Sequence, residues 1–173
     1  MYRRDILRLS LAVAIAFLPV AAIAQPKSIK EQLIGAWTLV AVDGVKADGT
    51  HTPIFGPNPN GSLIFTTNGR FSAQLMRSNR TPFASKNRDT GTAEENKTMA
   101  QGTLSEFGTY GVNEADKSFS MHIEGDSFPN REGIQVMWEV TSITDDTMTI
   151  NTPTSSNPAA AYATILNVWK KVK

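Results

Sequence analysis

Short segments with strand-like patterning recur along most of the chain, and turn signals separate them. Asp43-Gly44, Asp48-Gly49 and Asn68-Gly69 are such signals, because these residue types favour tight turns. About eight segments rich in β-branched, aromatic or alternating apolar residues are predicted as strands: Ala36–Val42, Ser62–Thr66, Arg70–Met76, Phe107–Val112, Ser118–Glu124, Ile134–Val140, Thr147–Thr152 and Tyr162–Lys170. This spacing is typical of an all-β domain in which consecutive strands pair.

Helical signals are few. Thr92 with Glu95 three residues later has the spacing of a capping box, which predicts a helix over Ala93–Leu104. Gln25–Leu33 is a polar lead with room for one helical turn. The prolines of His51–Asn60 predict a loop, because proline removes donors from a strand ladder.

The segments around Asn68-Gly69 predict a hairpin with a defined register. A two-residue turn would pair Phe65 with Ser72 and mix polar and apolar side chains on both faces. A three-residue turn with Gly69 left-handed pairs Phe65 with Phe71 instead, and Leu63 with Ala73. The second register keeps the two faces distinct and places Ser62, Ser72 and Gln74 together on the polar one.

Eight sequential strands of this length favour closure, because a closed sheet has no exposed edges and an eight-stranded barrel is wide enough to hold one small ligand. The predicted fold is therefore an eight-stranded antiparallel up-and-down barrel with one short helix inserted near residues 93–104. An open sandwich is the alternative arrangement for the same segments.

Several sequence runs resemble the bacterial and fungal lipocalin-like proteins. Gly35-Ala36-Trp37 is similar to the Gly-x-Trp signature of lipocalins, and the runs LIGAWTLV, GSLIFTTNGRFSAQLMR, FGTYGVNEADKSFSMHIEG and SFPN extend the resemblance. The resemblance implies a calycin-type barrel with an internal cavity, in which Gly35 and Trp37 form the structural signature and the Trp closes one end. The inserted helix and Met137, at a position expected to be more polar, depart from that pattern.

The first 24 residues have the three zones of a secretory signal peptide. Arginines precede the apolar run Leu9–Val20, and Ala22-Ile23-Ala24 provides the small residues that a signal peptidase reads. The run is shorter than the roughly 20 residues a spanning helix needs. We therefore expect a signal peptide over residues 1–24, a single domain over 25–173 that is periplasmic or secreted, and no stable membrane insertion after cleavage. An uncleaved N-terminal anchor is the alternative.

Composition excludes several classes of function. The chain has no Cys, which excludes disulfides, thiol catalysis and a lipid-modified N-terminal cysteine. Loss of residues 1–24 removes three Arg and one Asp and brings the net charge from +1 to −1, so no nucleic-acid partner is expected. His51 and His122 lack the spacing of a metal site. No phosphate loop or dinucleotide fingerprint is present, so no cofactor is expected.

One polar row is the candidate for chemistry. Ser120, His122 and Glu124 alternate with apolar residues and so share a face of their strand. If the preceding turn, Asn113–Lys117, pairs Val112 with Ser118, Tyr110 lies opposite Ser120 on that face. Two orientations are open, a solvated outer wall or an inward row in which His122 and Glu124 act as an acid/base pair. The ligand-binding candidates are Gln74, Tyr110, Ser120 and Trp138.

Three functions fit these observations. The first is an exported protein that holds a small hydrophobic molecule in a barrel cavity. The second is a cofactor-independent isomerase or cyclase that acts on a hydrophobic metabolite through His122 and Glu124. The third is a structural or partner-binding envelope protein, which would expose an apolar patch and lack a cavity. The sequence does not choose between an enzyme and a binding protein, and it leaves the oligomeric state open.

Overall fold

Nine strands form one antiparallel sheet in the computed structural model, which describes residues 26–153 and 161–173. The strands are β1 (Gly35–Val45), β2 (His51–Pro53), β3 (Asn60–Phe65), β4 (Arg70–Met76), β5 (Thr103–Asn113), β6 (Ser118–Asp126), β7 (Gln135–Ile143), β8 (Thr147–Pro153) and β9 (Thr164–Lys171). β1 pairs with both β3 and β9, so the sheet closes on itself. The short β2 pairs with the far end of β1. The predicted eight-stranded antiparallel barrel is therefore confirmed, and the open sandwich is excluded.

Two helices of this part of the chain lie outside the barrel wall, α1 (Ile29–Leu33) and α2 (Ala93–Gln101). Each begins with a capping box, Ser28 with Glu31 and Thr92 with Glu95. The start of α2 is as predicted, but the helix ends earlier than Leu104. The Gly102 amide closes its last turn, and Leu104 then contributes to the barrel wall as part of β5.

The hairpin of β3 and β4 has the predicted register. Phe65 pairs with Phe71 and Leu63 with Ala73, across a turn in which Gly69 has a φ of 81°. These four side chains point into the barrel and are buried. The three-residue turn therefore directs the apolar face of the hairpin into the core.

One end of the barrel is closed by large side chains. Trp37, Phe65, Phe119 and Trp169 are almost completely buried there. Leu33 of α1 is also buried, and its carbonyl oxygen accepts a 2.8 Å hydrogen bond from Nε1 of Trp37. α1 therefore covers this end, where large buried rings pack against it.

The opposite, open end carries the long connections, residues 46–59, 77–102 and 127–134. A short 3-10 turn, Pro129–Arg131, lies in the last of them. The predicted signal peptide lies outside the described residues. No helix among those residues has the length and apolar character needed to span a membrane.

Candidate functional site

A cavity of about 230 Å³ lies inside the barrel at its open end. Six apolar side chains form most of its wall: Val42, Ile54, Phe55, Leu75, Leu104 and Ile165. Five further residues add polar groups: Glu106, Arg131, Trp138, Thr152 and Asn167. An apolar wall with a few converging polar groups is the usual composition of a small-molecule site. A wider depression beside Lys27 and Asp145, outside the closed end, is lined largely by solvated polar groups.

Glu106 reaches the cavity because of strand alternation. Along β5, successive side chains point to opposite faces, and Tyr110 and Glu106 share the inner one. Glu106 is 1% exposed, whereas the neighbouring Phe107 is 49% exposed on the outer wall. A carboxyl group therefore lies among apolar side chains inside the barrel.

A β-bulge brings a second carboxyl group beside the first. Gly108 pairs with Ile123 and Phe107 pairs with Gly125, so Glu124 is an extra residue in β6. Before the bulge the odd-numbered residues of β6 point inward, and after it Asp126 does, opposite Glu106. Bulges commonly redirect a side chain in this way. The Asp126 side chain has no solvent exposure.

Arg131 lies against both carboxyl groups. It belongs to the 3-10 turn at the mouth of the cavity, and its side chain is 25% exposed. One guanidinium nitrogen lies 3.0 Å from Oε2 of Glu106, and the other lies 3.4 Å from Oδ2 of Asp126. The guanidinium therefore connects the open-end loop to the inner wall of the barrel.

The electrostatics of this cluster raise the pKa of the Glu106 carboxyl. Burial raises the pKa of Glu106 to about 7 from an ordinary value of 4.5, the Arg131 guanidinium opposes this shift, and Asp126 adds to it. Two acids face one base here, so a proton on Glu106 leaves the cluster without net charge.

Several buried polar atoms at the cavity lack a hydrogen-bond partner within the described chain. They are both carboxylate oxygens of Glu106, Nε1 of Trp138 and Oγ1 of Thr152. Arg131 is near Glu106, but the contact is not aligned as a hydrogen bond. Buried polar groups are normally paired, so Oε1 of Glu106, Nε1 of Trp138 and Oγ1 of Thr152 are unusual among the described residues, whereas Oε2 of Glu106 faces Arg131.

Replacement of Arg131 by methionine is expected to destabilise the barrel by about 2 kcal/mol at pH 8, because it leaves two buried carboxyl groups without their cation. Urea unfolding followed by circular dichroism measures the change. Arg70→Met is the matched control, since Arg70 pairs with Glu124 at 2.8 Å on the solvated outer wall. We expect less than about 1 kcal/mol from the control, and equal losses from both variants would contradict a special role for Arg131.

The amino-acid sequence of the barrel matches a known protein family. A profile described as a lipocalin-like domain matches residues 34–172. The chain belongs to the lipocalin-like domain family. The resemblance inferred from Gly35-Ala36-Trp37 and the strand runs is thereby confirmed. No curated protein matches the chain.

Two solved structures are among those with some similarity to this chain. A lipocalin-like protein from Bacteroides uniformis ATCC 8492 is 15% identical, with a TM-score of 0.45, and the match covers 82% of this chain and 99% of that one. A redesigned β-barrel is 12% identical, with a TM-score of 0.41, and the match covers 85% and 100% of the two chains.

The candidate residues predicted from sequence lie at different places in the lipocalin-like barrel. Trp138 lines the cavity, and its role in ligand binding stays a prediction. Tyr110 also points inward, but it packs edge-on against Phe65 near the closed end, where its hydroxyl donates to the Thr66 carbonyl oxygen. Gln74 points outward and donates to Ser72 on the outer wall.

Ser120, His122 and Glu124 lie on the outer face, so the inward orientation of this row is wrong. His122 and Glu124 are exposed, and Glu124 pairs with Arg70. Met121 and Ile123 occupy the inner face of the same strand and are fully buried in the core. An acid/base role for His122 and Glu124 toward a molecule in the cavity therefore has no geometric basis.

Sequence reasoning missed Glu106, Asp126 and Arg131. Alternation could have found Glu106, had the predicted strand begun at Thr103 rather than Phe107. Asp126 depends on the bulge, and Arg131 on the path of a loop. Among the described residues, no group of three or more acidic or histidine side chains is placed to hold a metal ion.

Proposed function

We propose that this lipocalin-like protein binds a small, largely apolar molecule in the cavity at the open end of its barrel. The observation that carries the proposal is the contrast between the two ends of the barrel interior. The closed end is filled by buried rings, whereas the open end retains about 230 Å³ between apolar walls. Roughly 300–1,000 Å³ is usual for drug-sized ligands, so the molecule is smaller than these.

The sequence of residues 1–24 supports binding outside the cytoplasm. Its basic start, apolar run and small residues before Gln25 fit a secretory signal peptide. We place the protein in the periplasm or the external medium on this basis. A secreted fusion whose N-terminus is sequenced after expression tests this, with Gln25 as the expected first residue.

A substitution that fills the cavity with a larger side chain tests whether the ligand binds there. Ile165 lines the cavity, so Ile165→Trp is expected to reduce affinity for propylbenzene, a compact apolar probe, by about tenfold or more in calorimetric titration. Ile64→Trp is the matched control, because Ile64 is 40% exposed on the outer wall. We expect the control to bind like the unmodified protein. Equal binding by all three proteins would place the probe elsewhere and overturn the proposal.

A further inference from the structure

The polar groups of the cavity suggest what the bound molecule carries. Glu106 offers buried oxygens that accept hydrogen bonds, and Trp138 offers a buried N–H that donates one. Both residues line the same apolar cavity, together with the unpartnered hydroxyl of Thr152. Arg131 faces Oε2 of Glu106, but Oε1 of Glu106 and Nε1 of Trp138 have no hydrogen-bond partner among the described residues. A buried acceptor or donor in that state costs free energy unless a ligand contacts it.

We propose that the cavity selects a neutral molecule with a hydroxyl group, an alcohol or a phenol, on a compact apolar frame. The hydroxyl donates to a carboxylate oxygen of Glu106 and accepts from Nε1 of Trp138. A hydroxyl is the smallest group that both donates and accepts. This inference rests on the proposed binding function and adds the chemical class of the ligand.

The charges around Glu106 disfavour the two ionic alternatives. Asp126 faces it from β6 and Arg131 from the 3-10 turn. The other lining residues belong to β1, β4, β5, β7, β8, β9 and the 46–59 connection, and they are uncharged. A ligand carboxylate would add a third acid to a cluster with one base. A ligand ammonium would meet the Arg131 cation and leave the Trp138 N–H without an acceptor.

Four probes with the same propylphenyl frame test the ligand class by calorimetric titration: para-propylphenol, propylbenzene, para-propylbenzoate and para-propylbenzylamine. The phenol is expected to bind about tenfold more tightly than propylbenzene, since one additional buried hydrogen bond pair is formed. It stays neutral over the range tested, because a phenol titrates near pH 10. Tightest binding of the benzoate or the amine would overturn the proposal.

Variants test whether the preference for the phenol depends on Glu106 and Trp138. Glu106→Leu and Trp138→Phe should each remove most of the preference for the phenol over propylbenzene, measured as the ratio of the two affinities in the same variant. Trp169→Phe is the control for the indole, because Nε1 of Trp169 is also buried without a partner but Trp169 does not line the cavity. If Trp169→Phe abolishes the preference as fully as Trp138→Phe, the assignment is wrong.

Titrations at a series of pH values distinguish hydrogen bonding of the phenol to Glu106 from apolar packing in the cavity. The preference for the phenol should grow several-fold between about pH 5.5 and pH 8.5, because the ionised Glu106 is the stronger acceptor, and Glu106→Gln should bind without this dependence. If propylbenzene binds but the phenol has no advantage, the ligand class fails while the binding function stands. If no probe binds and Ile165→Trp changes nothing, the binding function itself fails.

Discussion

The unmodified protein is expected to lose about 3 kcal/mol of stability as the pH rises from about 4 to about 8. Replacement of Glu106 by glutamine should abolish this loss. Below that range the unmodified protein and the variant should differ little in their pH response. Above it the unmodified protein should have lost stability that the variant retains. Urea unfolding at a series of pH values measures the free energy of unfolding for both proteins.

The sign follows from where Glu106 binds its proton. Its pKa is about 7 in the folded barrel and 4.5 in an ordinary setting, because burial disfavours the charged form. Between these values the folded state holds a proton that the unfolded state releases, so stability falls as pH rises. The loss begins near pH 4.5 and is complete above pH 7. Each pH unit in this window contributes about 1.4 kcal/mol.

Glu124→Gln is the control for this experiment. Glu124 lies on the outer wall in contact with water and with Arg70, so the same substitution there is expected to change the pH response much less. Parallel curves for the unmodified protein and Glu106→Gln would mean that water reaches Glu106 and that the interior cluster has no special electrostatics.

Local chemistry explains which parts of the fold were predictable. The β3–β4 register follows from the asparagine and glycine of its turn together with the alternation of Phe65, Phe71 and Leu63, all within a few residues. The start of α2 follows from Thr92 and Glu95 in the same way. These features depend on neighbours in sequence, so one chain is enough to recognise them.

The facing of β5 and β6 depends on a turn one residue shorter than predicted. Asn113 remains in β5 and pairs with Ser118, whereas the prediction paired Val112 with Ser118. The Asn113 side chain accepts from the amides of Ala115 and Asp116, which holds the tight turn. A shift of one residue exchanges the faces of a strand pair, so Tyr110 lies opposite Met121 on the inner face and Ser120 points outward.

The cavity cluster required information beyond the local sequence. Gly108 permits the bulge, because a Cβ there would lie 1.9 Å from the His122 carbonyl oxygen. The alternation of apolar and polar residues in β6 does not predict the extra residue at Glu124. The position of Arg131 depends on how a loop crosses the open end, which long-range packing determines. The candidate site was therefore the least predictable part of the protein.

The largest single loss of stability is expected at the closed end. Trp37→Ala should reduce the free energy of unfolding by about 3–5 kcal/mol, the usual cost of truncating a buried tryptophan. Trp37 has no solvent exposure, and its Nε1 donates to the Leu33 carbonyl oxygen. Lys171 places its ammonium 4.1 Å from the centre of the ring and also donates to the Gln32 carbonyl oxygen. The truncation therefore removes core packing and loosens α1 at once.

Two further variants separate these contributions in the same urea experiment. Trp37→Phe keeps a buried ring but removes the donor to Leu33, so we expect a loss of about 1–3 kcal/mol. Phe107→Ala truncates a ring that is 49% exposed on the outer wall and should cost much less than Trp37→Ala. Because the cavity lies at the other end of the barrel, propylbenzene binding by folded Trp37→Phe should remain within about twofold. Loss of binding in that variant would show that the closed end and the cavity are coupled, which would contradict the division of the barrel into a packed half and a half that contains the cavity.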